Sequence, residues 1–260
     1  MRMESRSFAV FLTVVSFCLA GCGERRGPAG LAAPSQTSAP MVPEIVTTAA
    51  ARIDLDFDPG TFVDGVDHPY FPLEPGATYT YVGTTSDGVE TIVVEVLHQR
   101  KTILGVEATV VRDRVYLDGE LVEDTFDWYA QDQDGNVWYL GEDSKEYEDG
   151  QVVSTAGSWE AGVNGAEAGI IMLAALEKGD TYAQEHAPGV AEDQARIVSL
   201  DESVTVPHAS YTGVLQTLEW TPLEPGNRGY KYYAEGIGLV LETSKRNGGE
   251  RVELVSVTGL

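Results

Sequence analysis

The feature that most constrains the fold is a two-residue alternation of apolar and polar side chains, repeated between glycine-containing turns. Residues 105–130, GVEATVVRDRVYLDGELVEDTFDWYA, contain two alternating runs that meet at Asp118-Gly119. This dipeptide is typical of tight β-hairpin turns because both residues tolerate positive φ. Residues 89–97 alternate in the same way, and three further runs near the C-terminus are YKYYAEG, IGLVLETS and ERVELVSV. The sequence therefore predicts a mainly β chain built on an antiparallel sheet.

Two segments do not show a clear period. Residues 165–177 (AEAGIIMLAALEK) contain an uninterrupted apolar run, which periodicity alone cannot assign to a strand or a helix. Residues 190–200 (VAEDQARIVSL) are the second such segment. We therefore expect at most one or two short helices in the chain. In addition, Val110-Val111 breaks the alternation and predicts a bulge or a local twist at that point.

Residues 124–143, DTFDWYAQDQDGNVWYLGED, combine aromatic rings with carboxylates and contain no Lys or Arg. Asp134-Gly135 lies between alternating runs and predicts another hairpin. The alternative is an EF-hand calcium loop that begins at Asp132. Its sixth position must be glycine and is Val137, so the spacing fails and the hairpin is favoured over a loose surface cation contact.

The N-terminal segment predicts export from the cytoplasm. Arg2 and Arg6 precede an apolar run at residues 8–20 that is too short to span a bilayer comfortably as a mature helix. This arrangement is typical of a signal peptide, which we place at residues 1–21.

The sequence LAGC at residues 19–22 resembles the lipobox of bacterial lipoproteins. The resemblance implies that the Cys22 thiol carries diacylglycerol and that the signal is cut before it. Gly23 follows, where an Asp would favour the inner membrane. The resemblance thus implies a lipid-anchored protein of the cell envelope, at the outer membrane if the organism has one and otherwise at the outer face of the cell membrane.

The mature chain divides into a tether and a domain. Residues 22–51 comprise the lipidated cysteine and a segment rich in Pro, Ala, Gly, Ser and Thr, which is typical of a flexible tether. Residues 52–260 form the predicted antiparallel β-domain. Because Cys18 leaves with the signal and Cys22 is lipidated, no thiol remains for a disulfide.

The charge of the chain limits its partners. The sequence contains 41 Asp and Glu against 17 Lys and Arg, a formal net charge of -24. Nucleic-acid binding requires Lys and Arg to displace counterions from phosphates, so we expect no nucleic-acid partner. The expected partners are the membrane, reached through the lipid anchor, and a small apolar or glycan ligand.

Three motifs resemble the signatures of a diffuse group of exported bacterial β-proteins. They are HPYFPLEPGATYTY at 68–81, VPHASYTGVLQT at 206–217 and YKYYAEGIGLVLE at 230–242. The resemblance covers about residues 55 to 260 and implies that the antiparallel sheet curls into an open or closed barrel. It implies no activity. His208 departs from the group, which usually has Gly at this turn.

Four aromatic residues are the predicted ligand-binding side chains, namely Trp128, Tyr129, Trp138 and Tyr139. Their rings could form a flat surface for sugars or lipids, or they could fill the interior of a curled sheet. If the sheet closes incompletely, the rings would line a hollow that accepts a ligand.

Catalytic motifs are sparse, and we predict no catalytic residue, no metal ligand and no cofactor. His186 lies beside Glu185, with Glu192 and Asp193 following, so the segment could bind zinc or supply an acid–base pair, or it could be a solvated loop. We expect an envelope lipoprotein whose non-catalytic β-domain binds an apolar or carbohydrate-like ligand or acts as an accessory module. The alternatives are an exported hydrolase that uses His186 and its neighbouring carboxylates, and an acidic cation-binding surface protein.

Overall fold

A computed structural model describes residues 53–85, 87–244 and 250–260. The predicted signal peptide (1–21), Cys22 and the tether (22–51) lie outside the described residues.

The described chain forms sixteen β-strands and one short 3-10 helix at Pro59–Thr61, with no α-helix in the described ranges. In chain order the strands are β1 (Asp67–His68), β2 (Phe71–Pro72), β3 (Thr78–Thr84), β4 (Val89–Ile103), β5 (Val106–Leu117), β6 (Glu120–Gln131), β7 (Val137–Glu148), β8 (Gln151–Ser154), β9 (Trp159–Glu160), β10 (Gly169–Met172), β11 (Thr181–Ala183), β12 (Gln194–Thr205), β13 (Ser210–Trp220), β14 (Arg228–Ala234), β15 (Gly238–Ser244) and β16 (Arg251–Thr258). The mainly β prediction is confirmed.

Neither of the two segments without a clear period is a helix, which agrees with the expectation of at most one or two short helices. Residues 165–177 contain β10, which pairs with β7, and residues 190–200 enter β12, which pairs along its length with β13. In β12 the side chains of Ala195 and Ile197 are both buried, as expected for alternate positions on one face of a strand. Both segments form strands because they pair with neighbouring strands, and the local periodicity of the sequence does not show such pairing.

Fourteen strands form a single antiparallel sheet in the order β10-β7-β6-β5-β4-β3-β16-β15-β14-β13-β12-β11, with β8 and β9 both pairing with β7. Strands β1 and β2 form a separate two-stranded sheet. Successive hairpins build β3 to β7 and, separately, β12 to β16. Pairing of β16 with β3 joins these two halves.

The turn between β5 and β6 has the predicted geometry. Asp118 and Gly119 have φ values of 50° and 88°, and Asp118 Oδ1 accepts a hydrogen bond from the Val89 N–H. The irregularity predicted at Val110-Val111 lies in the neighbouring strand, because the β4–β5 register shifts between Val96 and Arg100. Both valines are buried, which explains why they interrupt the alternation.

The turn between β6 and β7 is organised by one carboxylate. Asp132 Oδ1 accepts hydrogen bonds from the N–H groups of Asp134 and Asn136, at 3.0 and 2.9 Å. Asp132 Oδ2 accepts from Asn136 Nδ2 and Trp138 Nε1, at 2.9 and 2.8 Å. Gly135 has a φ of 98°. The hairpin prediction is confirmed, and the side chain that would begin a calcium loop is used to hold the turn.

The sheet curls until its two end strands meet, and it remains open there. Strands β10 and β11 do not pair with each other; the Glu167 N–H instead donates to the His186 carbonyl at 2.9 Å, a single isolated bridge. Gly169 of β10 passes so close to the Gln184 backbone that a Cβ atom would collide with the Gln184 carbonyl. We call this junction the seam.

The curl creates two buried regions, one on each face of the sheet. Asp127 and Tyr129 of β6 point inward, where they line a common cavity with Lys231 and Tyr233 of β14 from across the curl. The outer face of β7 is covered by the N-terminal segment, whose Phe57 and Phe62 lie 5.4 and 6.0 Å from the Trp138 ring. Ile53 continues this cover to β11 through a 2.8 Å hydrogen bond from its N–H to the Thr181 carbonyl.

Candidate functional site

The inside of the curl contains a group of buried carboxylates around one buried lysine. Lys231 is the one Lys or Arg that is buried among the described residues. We call the surrounding side chains the interior acid cluster, and they are Glu90, Asp113, Glu123, Asp127, Glu142, Glu185, Asp193, Glu219 and Glu242. The excess of buried acid over buried base is unusual, since a buried charge is costly unless it is paired.

Strand register places Lys231 between two carboxylates. Thr217 of β13 and Glu242 of β15 are the cross-strand partners of Lys231. Lys231 Nζ lies 3.0 Å from Glu219 Oε2 and 3.7 Å from Glu242 Oε1. Glu219 Oε1 also accepts hydrogen bonds from Thr217 Oγ1 at 2.9 Å and from Tyr233 Oη at 3.2 Å. The lysine is therefore held as an ammonium ion by a hydrogen-bonded carboxylate frame.

On the opposite side of the interior, one phenol contacts two carboxyl groups. Tyr139 Oη lies 2.6 Å from Asp127 Oδ1 and 3.0 Å from Glu142 Oε2. A phenol has a single proton to donate, so the second hydrogen bond requires a protonated carboxyl group. This geometry indicates that Asp127 and Glu142 share at least one proton between them.

The electrostatics agree with this geometry. Burial raises the pKa of Glu90, Asp127 and Asp193 to about 7 and that of Glu242 to about 8. Burial, reinforced by neighbouring carboxylates, also raises the pKa of Asp113, Glu142 and Glu185 well above the usual range.

The pKa of Lys231 is also raised, but in a lysine this favours the charged form. Burial lowers the pKa of Lys231, but the charges of Glu219 and Glu242 outweigh burial and raise it above its ordinary value. Lys231 is thus charged at neutral pH, whereas much of the acid around it carries protons.

A cavity of about 90 Å³ lies within this cluster, and we call it the interior cavity. Its polar wall includes Asp113, Asp127 and Lys231, together with Tyr79 and Tyr233. Asp113 Oδ1 and Tyr79 Oη are buried and make no hydrogen bond to any group of the described residues. Two residues of the cavity wall therefore carry a buried polar atom that no group of the described residues satisfies.

A larger groove of about 510 Å³ follows the seam, and we call it the seam groove. It is lined by residues 53–57, Leu104, Trp138, Gly162, residues 166–170, Ala183 and His186. Within it, His186 Nδ1 lies 3.1 Å from Glu167 Oε2, and both side chains are exposed. The groove combines apolar walls with carboxylates and an imidazole.

The structure separates the four predicted aromatic residues into two pairs. Tyr129 and Tyr139 lie inside the curl and stack at 4.7 Å between ring centroids, and Tyr129 lines the interior cavity. Trp128 is buried beneath Lys101, whose Nζ lies 3.0 Å from its ring centroid, whereas Trp138 lines the seam groove. The rings do not form one flat platform. Ligand binding stays a prediction for all four residues, of which Tyr129 lines the interior cavity and Trp138 the seam groove.

His186 does not join the carboxylates that surround it in sequence. Glu185 is buried and lies 3.4 Å from Trp159 Nε1, through its Oε1 atom, while Glu192 accepts a hydrogen bond from the Gly189 N–H. The acid that pairs with His186 is Glu167, which sequence reasoning missed because the isolated bridge at the seam brings the two residues together.

The interior acid cluster was also missed. A signal for part of it exists in the sequence, since Glu123 and Asp127 share a strand face with Tyr129. The remaining members come from five other strands and from the connection between β11 and β12, which only the curl brings together. In the described part of the chain no group of three or more His, Cys, Asp or Glu side chains is arranged to hold a metal ion.

No helix in the described ranges has the length and apolar character needed to cross a bilayer.

Comparison with known proteins gives one structural likeness. No family model matches the chain, and no curated protein matches it. The fold is similar to the crystal structure, at 2.70 Å resolution, of a candidate lipoprotein from Parabacteroides distasonis ATCC 8503. The match has a TM-score of 0.40 and 13% identity, and it covers 75% of this chain and 100% of the other.

Proposed function

We propose that this chain is a lipid-anchored protein of the bacterial envelope whose β-domain binds a carbohydrate-like ligand in the seam groove. The anchor rests on the LAGC sequence at residues 19–22, and Gly23 favours the outer membrane where one exists. The observation that carries the binding function is the seam groove itself.

The size and lining of the groove suit such a ligand. A volume of about 510 Å³ falls within the range of small-molecule sites. Leu55 and Leu104, both exposed, offer apolar surface to a sugar ring, and the side chains of Asp54 and Glu167 can hydrogen-bond to hydroxyl groups. The carboxylates disfavour an anionic ligand, so a neutral glycan is favoured over a fatty acid.

Leu104 supports this proposal through its backbone. It occupies the turn between β4 and β5 with a φ of 50°, a conformation that costs leucine about 1 kcal/mol or more. The other non-glycine residues of the described ranges with positive φ are Asp118, Asp149 and Asn164, which tolerate it better. Leu104 is 46% exposed, so core packing does not explain a leucine at this position. An exposed apolar wall of a ligand groove does.

We predict that Leu104→Asn preserves folding and weakens ligand binding. Asparagine relieves the backbone cost, while loss of the apolar wall removes about 1 kcal/mol of binding, roughly a fivefold increase in Kd. Native mass spectrometry of the full chain purified from membranes is expected to show a copurifying glycan at lower occupancy in the variant. Val153→Asn, which removes an exposed apolar side chain on β8 outside the groove, is the matched control. A copurifying fatty acid would favour an apolar ligand instead, and unchanged occupancy in Leu104→Asn would contradict binding in the groove.

A hydrolase is the second candidate, favoured by the contact between His186 and Glu167 inside the groove. A carboxylate that orients an imidazole is a common general-base arrangement. For a binding protein, His186→Ala should leave the glycan occupancy within about twofold of the wild type. A twofold change in affinity corresponds to about 0.4 kcal/mol of binding free energy. For an enzyme, the same variant should retain the bound glycan and lose its turnover.

For the anchor, we predict that Cys22→Ser releases the chain from the membrane fraction and abolishes incorporation of an alkyne-labelled fatty acid. Two or three acyl chains, each contributing about 0.8 kcal/mol per buried methylene, hold a protein on a bilayer stably, and serine cannot form the thioether. Cys18→Ser is the matched control because Cys18 lies within the predicted signal peptide. Equal labelling of the Cys22→Ser chain would disprove the lipobox.

A further inference from the structure

We infer that the interior cavity is a binding site for a short organic ammonium ion, such as a primary amine or an amino alcohol of two or three carbons. This site is separate from the seam groove and does not depend on the function proposed for it. The inference combines unsatisfied polar atoms, local charge, cavity size and a binding geometry that the protein already uses elsewhere in the same interior.

The first step concerns the two unsatisfied atoms. Asp113 and Tyr79 are only 4% and 5% exposed, and Asp113 Oδ1 and Tyr79 Oη make no hydrogen bond within the described residues. A buried polar atom without a partner costs about 1–3 kcal/mol, and more when it is charged. Both atoms belong to residues that line the interior cavity. A ligand with one N–H donor and one hydroxyl group would satisfy both.

The second step concerns charge. Burial raises the pKa of Asp113, and the neighbouring carboxyl groups of Asp127, Glu123, Glu242 and Glu90 raise it further. Lys231, the one buried cation in the part of the chain that the structure describes, is already held by Glu219 and Glu242. The electrostatic environment of the cavity therefore favours a second positive charge. Lys231 also shows how this interior binds an ammonium group, namely between a hydrogen-bonded carboxylate and a second acid.

The third step concerns size and shape. An apolar cavity of about 150 Å³ accepts benzene, so a volume of about 90 Å³ corresponds to a ligand of about four non-hydrogen atoms. Val94, Val96 and Val111 form an apolar wall that suits a short alkyl segment. Phe71 and Ile237 also line the cavity and are only partly buried, which places a route to solvent on their side.

The fourth step is a linkage to protons. A bound cation favours the ionised forms of Asp113 and Asp127, so binding should release protons and strengthen as pH rises from 6 to 8, the interval that spans the pKa of about 7 at Asp127. Several titratable groups face the carboxyl groups of Asp113 and Asp127. They are Tyr79 and Tyr81 of β3, Glu90 of β4, Glu123 and Tyr129 of β6, Tyr139 and Glu142 of β7, Glu185 of the β11–β12 connection, Lys231 and Tyr233 of β14, and Glu242 of β15.

The test is calorimetric titration of the full chain in nonionic detergent with ethanolamine hydrochloride and with ethylammonium chloride. We expect saturable binding of both, with proton release visible as a dependence of the measured heat on the buffer, and tighter binding at pH 8 than at pH 6. Sodium chloride at equal ionic strength and glycerol are the comparison solutes. Equal heats from sodium chloride would show a non-specific cation effect and equal heats from glycerol a neutral site, and either result would overturn the inference, as would no saturable heat with any amine.

Variants locate the site. Asp113→Asn is nearly isosteric and should weaken both amines at least tenfold, whereas Asp201→Asn, an exposed change on β12, should leave both unchanged. Tyr79→Phe should weaken ethanolamine several-fold and leave ethylammonium unchanged, because only ethanolamine has a hydroxyl group for Tyr79. Full binding in folded Asp113→Asn would place the amine elsewhere and overturn the inference. If Asp113→Asn fails to fold, Tyr79→Phe provides the test. Weaker binding of ethanolamine with unchanged binding of ethylammonium would support the site, and equal effects on both amines would overturn the inference.

Discussion

Replacing Lys231 with methionine is expected to lower the free energy of unfolding by about 3–5 kcal/mol at pH 8. The substitution keeps most of the side-chain volume and removes the one buried cation among the described residues. Glu219 and Glu242, 3.0 and 3.7 Å from the ammonium, would then be buried acids without a counterion. Urea unfolding followed by tryptophan fluorescence, with the purified protein in nonionic detergent, measures the loss.

The cost should depend strongly on pH. At pH 5 Glu242, whose pKa is about 8, is already protonated in the wild type, so less charge is left uncompensated and the loss should be smaller. Adding Glu242→Gln to Lys231→Met should recover part of the stability at pH 8. Lys145→Met is the control, since the partly exposed Lys145–Asp143 pair contributes at most about 1 kcal/mol. Equal losses at pH 5 and pH 8 would show that Lys231 stabilises the fold by packing alone.

The wild-type protein is expected to become less stable as pH rises from about 4.5 to 8. A carboxyl group whose pKa is higher in the folded state than in the unfolded chain binds more protons when folded, so its stabilising contribution is present at low pH and is lost as pH rises through the folded pKa. Glu90, Asp127 and Asp193, with pKa values of about 7, and Glu242, at about 8, all have this sign. Paired carboxylates have the opposite sign, because their lowered pKa makes stability fall on acidification below about pH 5.

The effect should be large because several groups contribute to it. Moving the pKa of Glu90 from 4.5 to about 7 corresponds to about 3 kcal/mol for that group alone. The urea midpoint measured at pH 5, 6, 7 and 8 is expected to fall throughout. Glu90→Gln should flatten the fall, whereas Glu120→Gln at the exposed start of β6 should not. A midpoint that rises toward pH 8 would mean that the cluster is ionised and compensated in the native state.

Much of the fold could be predicted because its determinants are local. The turn residues Asp118-Gly119 and Asp134-Gly135 lie between alternating runs, and each forms the hairpin that the pattern predicts. Residues 165–177 could not be assigned, because the choice of strand depends on pairing with β7. Sequence alone also left open whether the sheet closes, which depends on the approach of β10 to β11 at the seam.

The candidate sites were harder to predict because they depend on which face of each strand turns inward. Tyr129 and Trp128 are neighbours in sequence and lie on opposite faces, so grouping them by composition combined two separate environments. The outer face is buried by an N-terminal segment that carries Phe57 and Phe62. The contact between Lys231 and Glu242 follows from the β14–β15 register, but the approach of Asp113 to Glu242 requires the curvature of the whole sheet.

The division of the sheet into two runs of hairpins has a kinetic consequence. Strands β3 to β7 carry Asp113, Asp127 and Glu142, and strands β12 to β16 carry Glu219 and Glu242. Each run can form from contacts between sequence neighbours while its acids remain hydrated, and the β3–β16 ladder requires residues from opposite ends of the domain. Repulsion between acids of different halves, such as Asp113 and Glu242, thus arises only when the two preformed halves dock. Alkaline conditions should therefore slow this late association more than they slow early hairpin formation.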